Sequence, residues 1–169
     1  ALSVVLRIGA AIYLGDVITP QPGIFDEISY HTLSLRVLDG HGFSFGTGWW
    51  PATPANEPTA HWSFLYVLYL AGVYGVAGPH PLVARLLQVI VVGIGMPVLI
   101  HRITTRLFGE RAALAAAAVV AVYAYFVYYA AALLTEPFYI LALLLAVETA
   151  FVIAERETHG QPALALWAR

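Results

Sequence analysis

Cysteine is absent from this 169-residue chain, and so is lysine; all 8 basic residues are arginine. Without cysteine there is no disulfide framework, no thiolate metal site and no cysteine nucleophile. Charge of either sign is scarce at 11% of residues, with a net charge of -2, whereas a soluble domain carries about 25% charge. So weak a charge excludes a nucleic-acid binder, and a 60% hydrophobic composition excludes a disordered chain. A glycine-rich strand-to-helix phosphate loop is also missing, which leaves a soluble nucleotide-sugar site unsupported. What abounds is apolar surface. Mean hydropathy is +0.78, more than one core of this size can enclose, so the composition is that of an integral membrane protein. Arginine used to the exclusion of lysine is a codon-composition pointer to a GC-rich bacterium. The chain begins without Met inside an apolar run at 1–18, and its end at 163–169 reads as the opening of another hydrophobic segment. Arg7 inside the first run argues against a cleaved signal peptide. The sequence therefore reads as the N-terminal part of a longer membrane protein.

A bilayer span takes about 20 mainly apolar residues. Spans are expected at about 1–18, 82–100, 112–129 and 138–154, with an external loop at 19–81. Arg102, Arg106 and Arg111 crowd one short loop at 101–111, and such loops face the cytoplasm. Keeping that loop and Arg156 on one side requires the apolar stretch 61–77 to lie in the membrane interface rather than cross it. Trp62, Tyr66 and Tyr69 recur at i, i+4 and i+7 and form an aromatic stripe suited to the headgroup level. Tyr123, Tyr125, Tyr128 and Tyr129 mark the same outer interface. Within the loop, 28–38 reads as a second interfacial helix, with Ser29, Thr32 and Arg36 as its polar stripe and Gly40 as its stop. The expected fold is all-α: a polytopic membrane helix bundle whose external loop carries two interfacial helices.

The paired carboxylates Asp26 and Glu27 open the first of these helices. Asp26 reads either as a helix cap or as a general base whose basicity the nearby low-dielectric surface tunes; the two roles are compatible. Arg85 opens a span. It reads as snorkelling to lipid phosphate or as gripping the phosphate of a lipid-linked ligand. His61 heads the second interfacial helix and suits headgroup or phosphate contact. Glu136 stands beside Pro137 at a span start, as a cap or a catalytic support. Glu57 reads as a solvated loop charge. Glu148 lies within a span, where a charge is normally paired, and has no evident partner in the sequence. His31, His41, His61, Glu57 and Glu136 could hold a divalent metal only through folding that the sequence does not reveal, so no metal site and no cofactor are assigned.

The order of several motifs carries a resemblance. Asp26-Glu27 followed by Tyr30 and by Leu38-Asp39-Gly40-His41-Gly42 resembles the first external loop of GT-C superfamily membrane glycosyltransferases. Pro58-Thr59-Ala60-His61-Trp62-Ser63-Phe64-Leu65-Tyr66 is similar to their second interfacial helix. Pro81-Leu82-Val83-Ala84-Arg85-Leu86-Leu87-Gln88, Arg106-Leu107-Phe108-Gly109 and Leu134-Thr135-Glu136-Pro137-Phe138 follow in the same order. The likeness spans essentially all of 1–169 and is closest to the protein-O-mannosyltransferase and aminoarabinose-transferase branch. The second interfacial helix departs from the branch, which often has two prolines ahead of it where this chain has Thr59-Ala60-His61-Trp62. The resemblance implies an inverting transfer of sugar from a polyprenyl-phosphate donor to an acceptor hydroxyl or amine, on a protein, lipid or glycan. The reaction would run on the outer face of a bacterial plasma membrane. It implies Asp26 as general base, Glu27 and Glu136 as acidic support, and Arg85 and His61 as donor-phosphate contacts. The rival classes are a transporter or flippase, suggested by acids at Asp16 and Glu148 and by Gly93, Gly95 and Pro97 inside one span, and a non-catalytic membrane subunit.

Overall fold

The structure, a computed structural model, describes residues 1–18, 25–51 and 53–158. Expectations for 19–24, 52 and 159–169, including the terminal apolar segment, lie outside the described residues. The described residues form seven helices: α1 Leu2–Leu14, α2 Asp26–Leu38, α3 Phe64–Ala77, α4 Pro81–Phe108, α5 Glu110–Val122, α6 Ala124–Ala131 and α7 Glu136–Thr158. Among the described residues there is no strand, only two isolated antiparallel bridges in the loop after α2. Among the described residues two helices, α4 and α7, are long and apolar enough to cross a membrane, and α5 with α6 makes a third candidate if the bent pair is one span.

The central element is α4, which packs against α1, α5, α6 and α7. Pro81 begins it, where a missing N–H costs nothing. Asp16, just past α1, accepts a hydrogen bond from the Leu82 N–H at 2.9 Å, so it caps α4 from a distance. The helix runs 28 residues, about 42 Å at 1.5 Å per residue, straight through Pro97 and through most of the stretch expected to be an arginine loop. Glycine permits its closest neighbours. A Cβ on Gly93 would lie 3.3 Å from the Val4 backbone and 3.2 Å from Arg7, and one on Gly95 would lie 2.6 Å from Leu141.

The expected span at 112–129 is instead broken. α5 and α6 meet at 52° with extended backbone at Tyr123, although no glycine or proline is near. The cause lies on α1. Arg7 is fully buried and donates to the carbonyls of Ala121 at 3.2 Å and Val120 at 3.0 Å. A cation placed at a helix C-terminus complements the exposed carbonyls, so Arg7 stabilises the end of α5 where a continuous helix would otherwise run. α1 itself covers 13 residues, shorter than the expected span at 1–18.

α3 has 14 residues, about 21 Å, against a hydrocarbon core of about 30 Å. Its aromatic stripe does not face the interface as expected. Tyr66 is 2% exposed and donates to the Gln88 side chain at 2.8 Å, while Tyr69 donates to the Ala84 carbonyl at 2.7 Å. The stripe is therefore the seam between α3 and the first turns of α4. α2 differs in the same way. It begins two residues earlier than expected, and its supposed polar stripe turns inward: Ser29 is fully buried, with its hydroxyl on the Phe25 carbonyl, whereas Leu38 is exposed. The two helices share a core of Tyr30, Leu33, Phe45, Trp62, Tyr66, Val67 and Leu70.

At the far end of α4 and α7 the buried acid finds its partners. Glu148 ion-pairs with Arg102 at 2.7 Å and with Arg106, and Arg106 also reaches Glu155 at 2.9 Å. Two partly exposed arginines neutralise a carboxylate that is 4% exposed, which is how a charge inside an apolar helix is tolerated.

Candidate functional site

Opposite that arginine-rich end, one buried ion pair organises the ends of four helices, α1, α2, α4 and α6. The Arg85 guanidinium meets Glu27 at 2.6 Å. It also donates to the carbonyls of Gly15 at 3.1 Å, Ala131 at 2.8 Å and Val17 at 3.1 Å. The same Glu27 oxygen accepts the Leu133 N–H at 2.9 Å. One turn along α4, Gln88 donates to the carbonyls of Ala130 and Ala132. The stretch 130–134, where α6 ends and the chain crosses towards α7, is completely enclosed, and these side chains supply the partners its backbone needs away from water.

That assignment corrects the expected role of Arg85. It is fully buried and occupied by four internal acceptors, so it neither snorkels nor faces a ligand; it positions the elements around it. Glu27, expected as an acidic support at the site, is its counter-charge. His61 is exposed, its ring edge against Trp62 at 4.9 Å, and is the one expected phosphate contact with free surface. Glu57 is exposed in the loop.

Asp26 is the first residue of α2. Phe25 occupies the cap position and no side chain caps the helix, so the capping expectation for Asp26 fails and its half-buried carboxylate is left to other uses. It opens into a cavity of about 660 Å³ lined also by Phe25, Ser29, Gly48, Trp49, Trp50 and Trp62. Trp49 is held firmly: its indole N–H donates to Ser29 at 2.9 Å, its ring stacks on Phe45 at 4.7 Å, and its backbone pairs with Thr53. Arg36 braces the loop behind it by donating to Ser44 and to Asn56. Trp50 remains 74% exposed. Trp62 is buried in the wall, and its indole Nε1 has no acceptor among the described residues.

Glu136, the first residue of α7, is exposed and lines a different, apolar cavity of about 200 Å³ with Met96, Tyr125, Phe126 and Tyr129. Tyr30 is edge-on to Trp62 at 5.7 Å and to Tyr66 at 4.9 Å. Burial chiefly, and then the fields of Asp26 and Glu136, push its phenol above the ordinary value, partly offset by a backbone hydrogen bond with Ser63. Tyr30 therefore stays protonated and feels both acids. His31 faces the other way, 3.1 Å from the Tyr74 hydroxyl; burial first, then the positive charge of Arg85, lower its pKa, so the imidazole is neutral. Among the described residues no three His, Asp or Glu side chains gather as a metal site would require.

The structure thus pairs Glu27 with Arg85 as a buried clamp, places Asp26 and Glu136 in separate cavities, and leaves His61 on the surface. Ser29, Trp49 and Trp50 join the site beyond the residues expected of it; two adjacent tryptophans in a glycine-rich polar loop are a signal in themselves. Comparison with protein families, with curated proteins and with solved structures returns no match, so the reading of the site rests on these residues and their geometry.

Proposed function

We propose that the chain belongs to the catalytic part of a membrane glycosyltransferase that moves a sugar from a polyprenyl-phosphate donor on the extracytoplasmic face. The observation that carries this reading is Asp26, a carboxylate relieved of capping duty and opening into a tryptophan-walled cavity at the end of an apolar bundle. Aromatic faces and a carboxylate are complementary to a sugar, whose C–H face is apolar and whose hydroxyls donate hydrogen bonds. In the reaction, Asp26 takes the proton of the acceptor hydroxyl as its oxygen attacks the anomeric carbon from the face opposite the leaving group. The bond from that carbon to the phosphate oxygen breaks, polyprenyl phosphate departs with the electron pair, and the configuration inverts. The Arg85–Glu27 clamp holds α2 in place. The exposed His61 is the candidate contact for the leaving phosphate.

The test supplies synthetic polyprenyl-phosphate sugar, labelled in the sugar, to the protein in liposomes. Release of polyprenyl phosphate with a product of inverted anomeric configuration is expected. Retained configuration, or no release with any sugar, overturns the proposal. One observation favours a second reading: a span broken around a buried arginine, as at Val122 and Tyr123, is a device that transporters use. Movement of a lipid-linked substrate between leaflets, without cleavage, would select that alternative.

A further inference from the structure

We infer that the cavity walled by Trp49, Trp50 and Trp62 is the acceptor subsite and that the acceptor is an uncharged carbohydrate ring, stacked on Trp50. The inference rests on the transferase reading and adds the class of the second substrate to it. Two features converge. Trp50 is 74% exposed, yet it follows directly on a Trp49 whose ring and backbone are both anchored, so a large flat apolar face is presented at a fixed place and left uncovered. Asp26 shares the cavity, so a hydroxyl of a ring lying on that face has a carboxylate to receive its proton.

The lining also says what the cavity refuses. Among the described residues it contains Asp26 and no cationic side chain. A phosphate or a uronate placed there would meet like charge without compensation, which sends the phosphate of the donor outside, towards the surface that His61 occupies. An uncharged ring carries no such penalty. Trp50 alone, on the surface, could instead anchor the protein at the headgroup level; its sharing of a concave wall with a carboxylate favours the sugar.

The experiment measures binding without donor, by saturation-transfer NMR on the full protein in detergent micelles. The probes are maltotriose, mannotriose, galactotriose and arabinotriose, with trigalacturonate as the anionic control. At least one neutral trisaccharide is expected to bind and trigalacturonate is not. Trp50→Ala should weaken binding by roughly tenfold or more, the cost of losing a principal aromatic contact. Trp50→Phe should largely preserve it, and Asp26→Asn should still bind. Because Trp50 is exposed, its replacement leaves the fold intact, checked by an unchanged melting temperature. Binding of none of the four neutral probes overturns the inference, as does equal binding by Trp50→Ala; lowered liposome partitioning in that variant would then identify an interfacial anchor. Transfer to a serine-containing peptide with no trisaccharide binding retains the transferase and removes the sugar subsite. Trp50-dependent binding with no transfer from any donor retains the subsite and removes the transferase.

Discussion

Replacing Arg85 by alanine separates a structural arginine from a ligand-binding one, and the structure supplies the magnitude. The guanidinium is fully buried and serves Glu27 and the carbonyls of Gly15, Val17 and Ala131. Its removal strands a buried carboxylate, and breaking a buried pair from one side costs about 3–5 kcal/mol. At 1.36 kcal/mol per decade that is about two to nearly four decades in the folding equilibrium, a large part of a typical stability of about 5–15 kcal/mol. Elsewhere, exchanging both members of such a pair for apolar residues is often neutral. Here it should not be. Glu27→Leu with Arg85→Met still leaves three carbonyls and the Leu133 N–H without partners, each at about 1–3 kcal/mol. Thermal unfolding in detergent, read by the fraction that stays monodisperse, is the assay. Both the single and the double variant should melt well below the parent. An Arg85→Ala protein that melts with the parent but no longer uses a phosphorylated donor would refute the clamp and return Arg85 to the donor site.

At the opposite end, Glu148→Gln removes the shared partner of Arg102 and Arg106. A loss of about 1–3 kcal/mol is expected, and the same melting assay measures it. Gly93→Leu must push α1 from α4, because even a Cβ would sit 3.3 Å from the Val4 backbone; overpacking of this kind costs about 1–3 kcal/mol, whereas Gly95→Ala meets only the flexible end of Leu141 and should be milder. His31 gives a pH signature. Its pKa in the fold lies below the ordinary 6.5, so the unfolded chain binds the proton first and stability falls as pH drops from 6.5 towards the folded value. Above 6.5 that contribution is fully present. His31→Phe should flatten the dependence, and an unaltered pH–stability curve would remove His31 as its source.

Helical class and membrane character were legible because they depend on composition over long windows. The start of α2 at Asp26-Glu27 and the whole of α7 fell close to where carboxylates and apolar runs indicated. What was not legible depended on partners far along the chain. The break after Val122 has no local sequence cause; the residue responsible, Arg7, lies more than 110 positions upstream. Arg85 looked like a lipid-facing cation because its acceptors are mostly backbone carbonyls, which carry no letter in a sequence. Tyr66 and Tyr69 have the same period on a membrane surface as on a helix seam, so periodicity alone could not choose between them. Gln88, a single amide in an apolar run, was the overlooked marker of that seam. The candidate site divides along the same line: Asp26 and Glu136 stood out as acids at helix starts, whereas the tryptophan walls became a site only when the loop folded over Ser29.

The most direct test is transfer by Asp26→Asn. Asparagine keeps the size and polarity of the residue and caps no helix that aspartate was capping here, so melting temperature and membrane insertion should match the parent. It cannot take up the acceptor proton, and loss of a general base lowers rate by about 10² to 10⁴. With labelled polyprenyl-phosphate sugar and an acceptor in liposomes, the expected result is a correctly folded protein whose transfer rate falls by that factor. A correctly folded Asp26→Asn protein that transfers sugar at the parental rate contradicts the assignment of Asp26 as the base.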